Sequence, residues 1–576
     1  MALVVKYQKR KNVELFKGLE DSLLLSKTQN YIPIYKRFFS LNDTNYNTIN
    51  LNHKWHISNV KKTNNKVKCS IKCDEQQKDN VDIFFKMAPL LDPFKYLIGK
   101  YNTNDQNLIT LPTNTSTETN IHPKYVDVNN SAYVDGLFLY VTNFLLHDHG
   151  FINGVDYYGS FLAIKNDFKL NIFDDIDFLN ESSFFKKNRN ILYKVDDYDH
   201  LFEPDKKDDT KLKPIKIQHN TSAGSCISLK SLNNGIFENM FEDNNCIECE
   251  TNKNLSNDTM TLVDLNDISC ANDIKITTLR SNSSCSSRSS HTNDEDEDIE
   301  EDSEEDSEED SEKDSDTEWS DDSSYTEEVV EATIPMFPVQ VVCMENCENT
   351  FDDLIVNNEL TDDEWFSALM QIIMILITYQ KTFSFTHNDL HTNNVMYNKT
   401  DKKFIYYLYK KKQYKVPTFG RIFKIIDFGR SIYKVNGKVF CSDSFKLGGD
   451  AATQYNTEPF FNDKKPRLEP NFSFDLCRLA CSIYDYVIDD AKQTKPTKPV
   501  NKLIYEWCLD DNGCNLLYKN NGVERYPDFK LYKMIARCVH NHSPNLQLER
   551  PEFKAFEFTG KIKGDILDID KIPVCM

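Results

Sequence analysis

The chain has 576 residues, room for two or three average domains or one large domain with insertions, and a formal net charge of −22. Residues 291–330 hold 22 Asp and Glu against one Lys, a local −21, so the rest is near neutral and a general nucleic-acid-binding surface is not expected. The 16 cysteines follow no framework spacing, and Met1-Ala2-Leu3-Val4-Val5 runs into Lys6 and Lys9-Arg10-Lys11 without a secretory pattern; an intracellular protein with reduced thiols is expected.

Residues 1–50 mix polar residues with short apolar pieces such as Leu23-Leu24-Leu25 and read as an extension packed on the remainder. Strands are expected at Trp55-His56-Ile57-Ser58, at Val67-Lys68-Cys69-Ser70-Ile71 and from Val81 to Lys86. Val134, Leu137, Phe138 and Val141 then recur at helical spacing with Asp135 on the same helix, and Tyr157 to Lys165 follows as a strand. His147-Asp148-His149 reads as a helix end and not a metal site, because no further ligand is near in sequence.

Residues 205–330 read as an insertion. Cys246-Ile247-Glu248-Cys249 has no matching second pair, so zinc is not expected there. Glu304-Glu305-Asp306-Ser307-Glu308-Glu309-Asp310-Ser311 repeats every four residues and buries too little apolar surface to offset chain entropy, so disorder is expected. Ser303, Ser307 and Ser311 each precede acids. The tract is then a solubilising loop, a phosphoacceptor array or an internal mimic of an acidic substrate.

Phe337 to Glu345 reads as a strand, and Asn349 to Leu354 starts a helix. Thr361 with Glu364 makes a helix-capping sequence, and Trp365, Leu369, Ile372, Ile373 and Leu376 follow with helical period on a helix apolar nearly all round. Its apolar run, Ala368 to Tyr379, is too short to span a bilayer, and no membrane is expected. Lys402 to Lys415 supplies Phe404, Tyr406, Tyr407, Tyr409 and Tyr414 among six lysines, an enlarged hairpin ending at Pro417. A solvated hairpin with packed tyrosines is its plainer reading; docking of an acidic or nucleic-acid partner is the sharper one. From Asp475, apolar positions 476, 479, 480, 483, 484 and 487 mark another helix.

Two motifs carry chemistry. His387-Asn388-Asp389-Leu390-His391-Thr392-Asn393-Asn394 reads H-x-D-L-x-x-x-N, and Asp427-Phe428-Gly429 follows it. Phosphoryl transfer needs a carboxylate to orient the attacking hydroxyl and oxygen ligands to hold magnesium on the phosphates. Asp389 suits the first role, and Asn394 with Asp427 the second. In this order the motifs are those of the protein kinase signature set, and residues 337–490 resemble protein kinases clearly, residues 50–200 weakly. Thr386 to Tyr397, Tyr414 to Gly429 and Gly448 to Asp475 are similar in wording to the serine/threonine kinases of giant nucleocytoplasmic, mimivirus-like DNA viruses.

The resemblance implies an α+β, bilobal kinase-like fold. A small β-rich N-lobe would occupy 51–204, its last strand and hinge 331–348, and a helical C-lobe 349–576, with the disordered acidic insertion at 205–330. It implies ATP and Mg²⁺ as cofactors and Ser/Thr hydroxyls of protein substrates as acceptors. Acidic or basic protein partners would dock through the insertion and the Lys/Tyr hairpin. The setting implied is the host cytoplasm, with packaging in virions as an alternative. Lys86 would steady the phosphates; it is preferred over Lys165 of Leu162-Ala163-Ile164-Lys165 because a helix and further strands must follow. Asp135 would pair with Lys86 where Glu is usual, Met344 would back the adenine, Glu345 to Cys347 would offer it backbone groups, and Asp475 would hold the catalytic-loop backbone.

Three departures stand out. No glycine occurs between residues 50 and 82, so another turn, Lys61 to Lys66, must cover the nucleotide. Asn388 replaces the Arg that binds an activation-loop phosphate, so that switch is not expected. His391 replaces a Lys, and H-x-D-L-H also occurs in aminoglycoside- and choline-kinase-like enzymes. A small-molecule kinase and a pseudokinase-type scaffold are the alternatives.

Overall fold

The computed structural model describes residues 3–63, 66–196, 198, 329–488, 496–527, 529–562 and 564–576. The acidic tract, Cys246 and Cys249 lie outside the described residues, as does the tip of the turn from Lys61 to Lys66. In chain order the elements that frame the site are α1 (Val13–Leu23), β1 (Leu25–Gln29), β2 (His56–Thr63), β3 (Lys66–Cys73), β4 (Gln76–Val81), β5 (Ile83–Pro89), α2 (Ser131–His149), β6 (Tyr157–Asn171) and β7 (Glu331–Glu345). Then come α3 (Asp362–Phe383), β8 (Val395–Lys399), β9 (Phe404–Tyr409), β10 (Lys412–Pro417), β11 (Arg421–Ile425), α4 (Phe474–Val487) and α5 (Phe529–Cys538). The fold is mixed α/β, with several sheets and helices.

The central sheet runs β1-β6-β7-β5, every neighbour antiparallel, and the short strand Lys194–Val195 pairs with the outer end of β7. Phe161 to Ile164 and Val339 to Cys343 are buried on both faces, with Gln340 as the buried polar exception. Lys86 stands opposite Val342 on β7, so the register fixes where its side chain starts. Helix α2 packs on this sheet, and the side chain of Asn130 caps it by accepting from the Ala132 N–H at 3.1 Å.

The stretch from Val81 to Lys86 is not one strand. It divides at Asp82: β4 closes a separate sheet of order β2-β3-β4, and β5 joins the central sheet. Gln76 to Asn80 is wholly exposed, as suits an edge strand of Gln, Lys, Asp and Asn. The first 50 residues do more than lie against the remainder. Strand β1 adds to the edge of the central sheet through Leu25 and Lys165, and α1 buries Leu15, Leu19 and Leu23 while packing on β2.

Helix α3 opens with the capping box expected of Thr361 and Glu364, whose carboxylate accepts from the Thr361 N–H at 3.0 Å. At 22 residues it extends well beyond the apolar run read from sequence and is long and apolar enough to cross a membrane; 89% of that apolar window is buried inside the fold. It packs beside β11. Strand β8 begins where the first motif ends, β11 ends just before Asp427, and Val395 pairs with Ile425. Adjacent strand ends therefore deliver Asn394 and Asp427 side by side, and the Ile426 N–H donates to the Asn394 carbonyl at 3.0 Å.

The intervening hairpin, β9 with β10, turns at Lys410 and Lys411, both with positive φ. Tyr407 and Tyr414 are buried, and the Tyr407 hydroxyl donates to Asn153 at 2.9 Å. Leu567–Asp568 adds a parallel third strand.

Candidate functional site

Lys86 is the meeting point of three elements. Its Nζ lies 2.7 Å from Asp135 Oδ2 on α2 and 3.0 Å from Asp427 Oδ1 after β11. The second Asp135 oxygen accepts from the Phe428 N–H at 2.7 Å, so one carboxylate ties the lysine to the D-F-G loop. Burial works against the Lys86 charge, but Asp135 and then Asp427 outweigh it and its pKa is raised. Burial also opposes ionisation of Asp427, yet Lys86, then His387 and His391, hold its pKa below the usual value. Asp135 is pushed up by burial against the pull of Lys86. The rival lysine, Lys165, donates to the Asn166 carbonyl at 2.7 Å, away from these groups.

The loop from His387 to Asn394 is held by α4. Asp475, on the first turn of α4, accepts the His387 and Asn388 N–H groups at 2.9 Å each. Asn388 sits at φ 63°, a left-handed conformation that Asn tolerates better than most residues. It does not carry the charge of the Arg it replaces. Its amide donates to the Arg430 carbonyl at 3.0 Å and accepts from the Tyr455 hydroxyl at 2.7 Å, so it fastens the loop to the chain beyond D-F-G. His387 donates through Nε2 to the Ile426 carbonyl at 2.9 Å.

Asp389 Oδ1 accepts from the Tyr532 hydroxyl on α5 at 2.8 Å, and its Oδ2 lies 3.9 Å from Arg430 Nε. The Asn394 amide nitrogen donates to the Asp389 carbonyl at 2.9 Å and meets His391 Nε2 at 3.1 Å. With that nitrogen engaged, Oδ1 is the atom Asn394 has for a cation. Burial lowers the His391 pKa to about 3, so its imidazole is neutral and accepts at Nε2. It does not replace the charge of a lysine.

Phe428 packs at ring distances of 4.6 Å from Phe138 and 5.9 Å from Phe385. This aromatic cluster joins α2 to both motifs.

These groups open onto a cavity of about 390 Å³. Lys86, Asp135, Asp389 and Asp427 line it, and residues 91–95, 122–124, 127, 443–444 and 446–450 make its outer walls. Met344, Glu345 and Cys347 do not line it. The Glu345 N–H, expected to face a base, already donates to the Asp156 carbonyl at 2.9 Å. Its carboxylate pairs with Lys424 and accepts from Asn398 at 2.9 Å. No residue of β2 or β3 lines the cavity. His147 bonds Asp156 at 2.8 Å, which accounts for the histidine at the end of α2.

Arg430, Tyr532 and the outer walls were not read from sequence as site residues. Arg430 follows D-F-G directly, so its position was the available signal. Tyr532 lies 143 residues from Asp389 with no motif around it.

Among the described residues no group of three or more His, Cys, Asp or Glu gathers as a metal site. A cation held by Asp427 and Asn394 would need its other oxygens from phosphate and water, as magnesium commonly does. The donor set fits that ion.

A site of this composition, a lysine bridging two carboxylates beside a separate Asp and an Asn, suits the handling of phosphate and metal. No family model matches the chain. A stretch of 179 residues, 30% of this chain, is 28% identical to "Uncharacterized protein 098R" of Invertebrate iridescent virus 6 and covers 26% of it. A stretch of 157 residues, 26% of this chain, is 25% identical to the serine/threonine-protein kinase haspin homolog of Drosophila melanogaster and covers 27% of it. The chain thus spans about a quarter of the length of these relatives. The second match is a distant likeness to a protein kinase.

Proposed function

We propose that the protein transfers the terminal phosphoryl group of Mg-ATP to Ser/Thr hydroxyls of proteins, on a bilobal kinase-like fold. The observation that carries this reading is the convergence on Lys86 of Asp135 and Asp427, at 2.7 and 3.0 Å, beside a loop in which Asn394 bonds the Asp389 backbone. Mg-ATP supplies the transferable phosphoryl group and the charge neutralisation.

The chain's own residues do the rest. Lys86, kept charged by its two carboxylates, holds phosphate oxygens. Asp427 and Asn394, set by the β8–β11 register, offer metal ligands. Asp389, oriented by Tyr532, aligns the acceptor hydroxyl and takes its proton. Asp475 keeps the loop backbone in place. The distant kinase likeness supports the reaction class, and the viral likeness supports a viral protein; action in the host cytoplasm is part of the proposal.

The test is incorporation of label from γ-labelled ATP into the chain and into a mixed-protein acceptor, wild type against Asp427→Ala. Label that needs magnesium and disappears in the variant is expected. Equal incorporation by both proteins, or none by the wild type, overturns the reading.

A further inference from the structure

Arg430 is nine-tenths buried, lines the cavity beside Asp389, and its Nη1 and Nη2 find no hydrogen-bond acceptor among the described residues. The nearest acid to its end, Asp450, lies 3.9 Å from Nη2. Other cations on the same walls are engaged: Lys124 reaches Asp443 at 3.1 Å and Lys446 reaches Asp127 at 3.2 Å. A buried guanidinium with idle donors is costly unless a ligand completes it, and its planar fork matches a carboxylate.

A second observation lies on α5. Tyr532, which bonds Asp389, is followed by Lys533, whose pKa falls to about 8 through burial, then Arg537, Lys530 and Lys465. Four cations of one sign therefore gather next to the residue that touches Asp389. Lys465, Lys530 and Arg537 are exposed, so the cluster faces solvent.

We propose that the acceptor is a hydroxyl residue flanked by carboxylates, with Arg430 taking the carboxylate nearest the hydroxyl and the α5 cluster taking those further along. Arg430 is then a specificity-determining residue. This rests on the phosphotransfer reading. The chain itself carries such a sequence: Ser303, Ser307 and Ser311 stand among Glu and Asp.

The experiment uses the full chain, labelled ATP and two peptides: residues 301–312 as written, and the same peptide with each Glu and Asp changed to Gln and Asn. Competition from the chain's own tract raises the apparent KM of both equally and leaves the ratio of kcat/KM intact. The acidic peptide is expected to be preferred by about tenfold or more, the worth of one charge-assisted hydrogen-bonded pair, with the difference in KM. Arg430→Met should remove most of that preference. Equal use of the two peptides by the wild type, with label in both, overturns the acidic preference and leaves phosphotransfer standing. Absence of label from both peptides and from the chain overturns phosphotransfer and this inference together. Should Arg430→Met fail to fold, the surface triple Lys530→Ser, Lys533→Ser, Arg537→Ser decides: a reduced ratio supports the inference and an unchanged one overturns it.

Discussion

Asp135 reaches Lys86 at 2.7 Å although it is one methylene shorter than the glutamate usual in such a pair. The next residue explains how. A Cβ on Gly136 would stand 2.1 Å from Gln340 Nε2 and 3.2 Å from its Cδ, so a side chain there would push α2 away from β7. The glycine lets the helix approach the sheet and makes up the missing length. Gly136→Ala should destabilise the protein by about 1–3 kcal/mol through overpacking and weaken the Lys86–Asp135 pair. The double variant Gly136→Ala, Gln340→Ala should recover part of the loss. Thermal or chemical denaturation of the three proteins checks this; an undiminished midpoint in the single variant would refute it.

Local chemistry made some of this legible. Lys86 followed from the order of strand, helix and strand, Asp135 from its place among Val134, Leu137 and Phe138, and the cap at Thr361 from Glu364 three residues on. What depends on distant pairing was not legible. The division at Asp82 arises because β4 and β5 find partners in different sheets. The cavity walls meet through contacts such as the Ser131 N–H on Asp443 at 3.0 Å, 312 residues apart. Glu345 looked free for a ligand because Asp156 and Lys424, which occupy it, are far away in sequence.

Asp389→Asn keeps the shape of the side chain and an acceptor for the Tyr532 hydroxyl, now 2.8 Å from Oδ1, but removes the base. Phosphoryl transfer should fall by about 10²–10⁴-fold with KM for ATP little changed. Circular dichroism should show the same folded protein. Activity within a few-fold of wild type would remove Asp389 from the role given to it.

Asp475 is buried, and both its oxygens serve backbone donors of the catalytic loop. Asp475→Ala leaves the His387 and Asn388 N–H groups without acceptors. At roughly 1–3 kcal/mol for each unsatisfied buried donor, the loss should be about 2–6 kcal/mol. Asn388 would also lose the restraint that keeps it at positive φ. Urea titration followed by tryptophan emission gives the stability, and the loss of phosphotransfer should exceed what unfolding alone explains. A variant with unaltered stability would show that the loop is held by other contacts.

His391 gives a pH dependence with a definite sign. Its pKa falls from 6.5 to about 3 on folding, chiefly through burial. Between those values the unfolded chain binds a proton that the folded chain refuses. The stability is therefore full above the unfolded pKa and drains away as pH falls toward the folded one. By about pH 5 the loss from this group should reach roughly 2 kcal/mol. His53 and His56, each lowered to about 4 mainly by burial, act in the same direction. His391→Gln keeps an acceptor for the Asn394 amide but cannot titrate. Melting curves from neutral pH down to about pH 5 should show a shallower decline for the variant than for the wild type. Parallel declines would mean that the buried neutral imidazole beside Asn394 is not what sets the acid sensitivity.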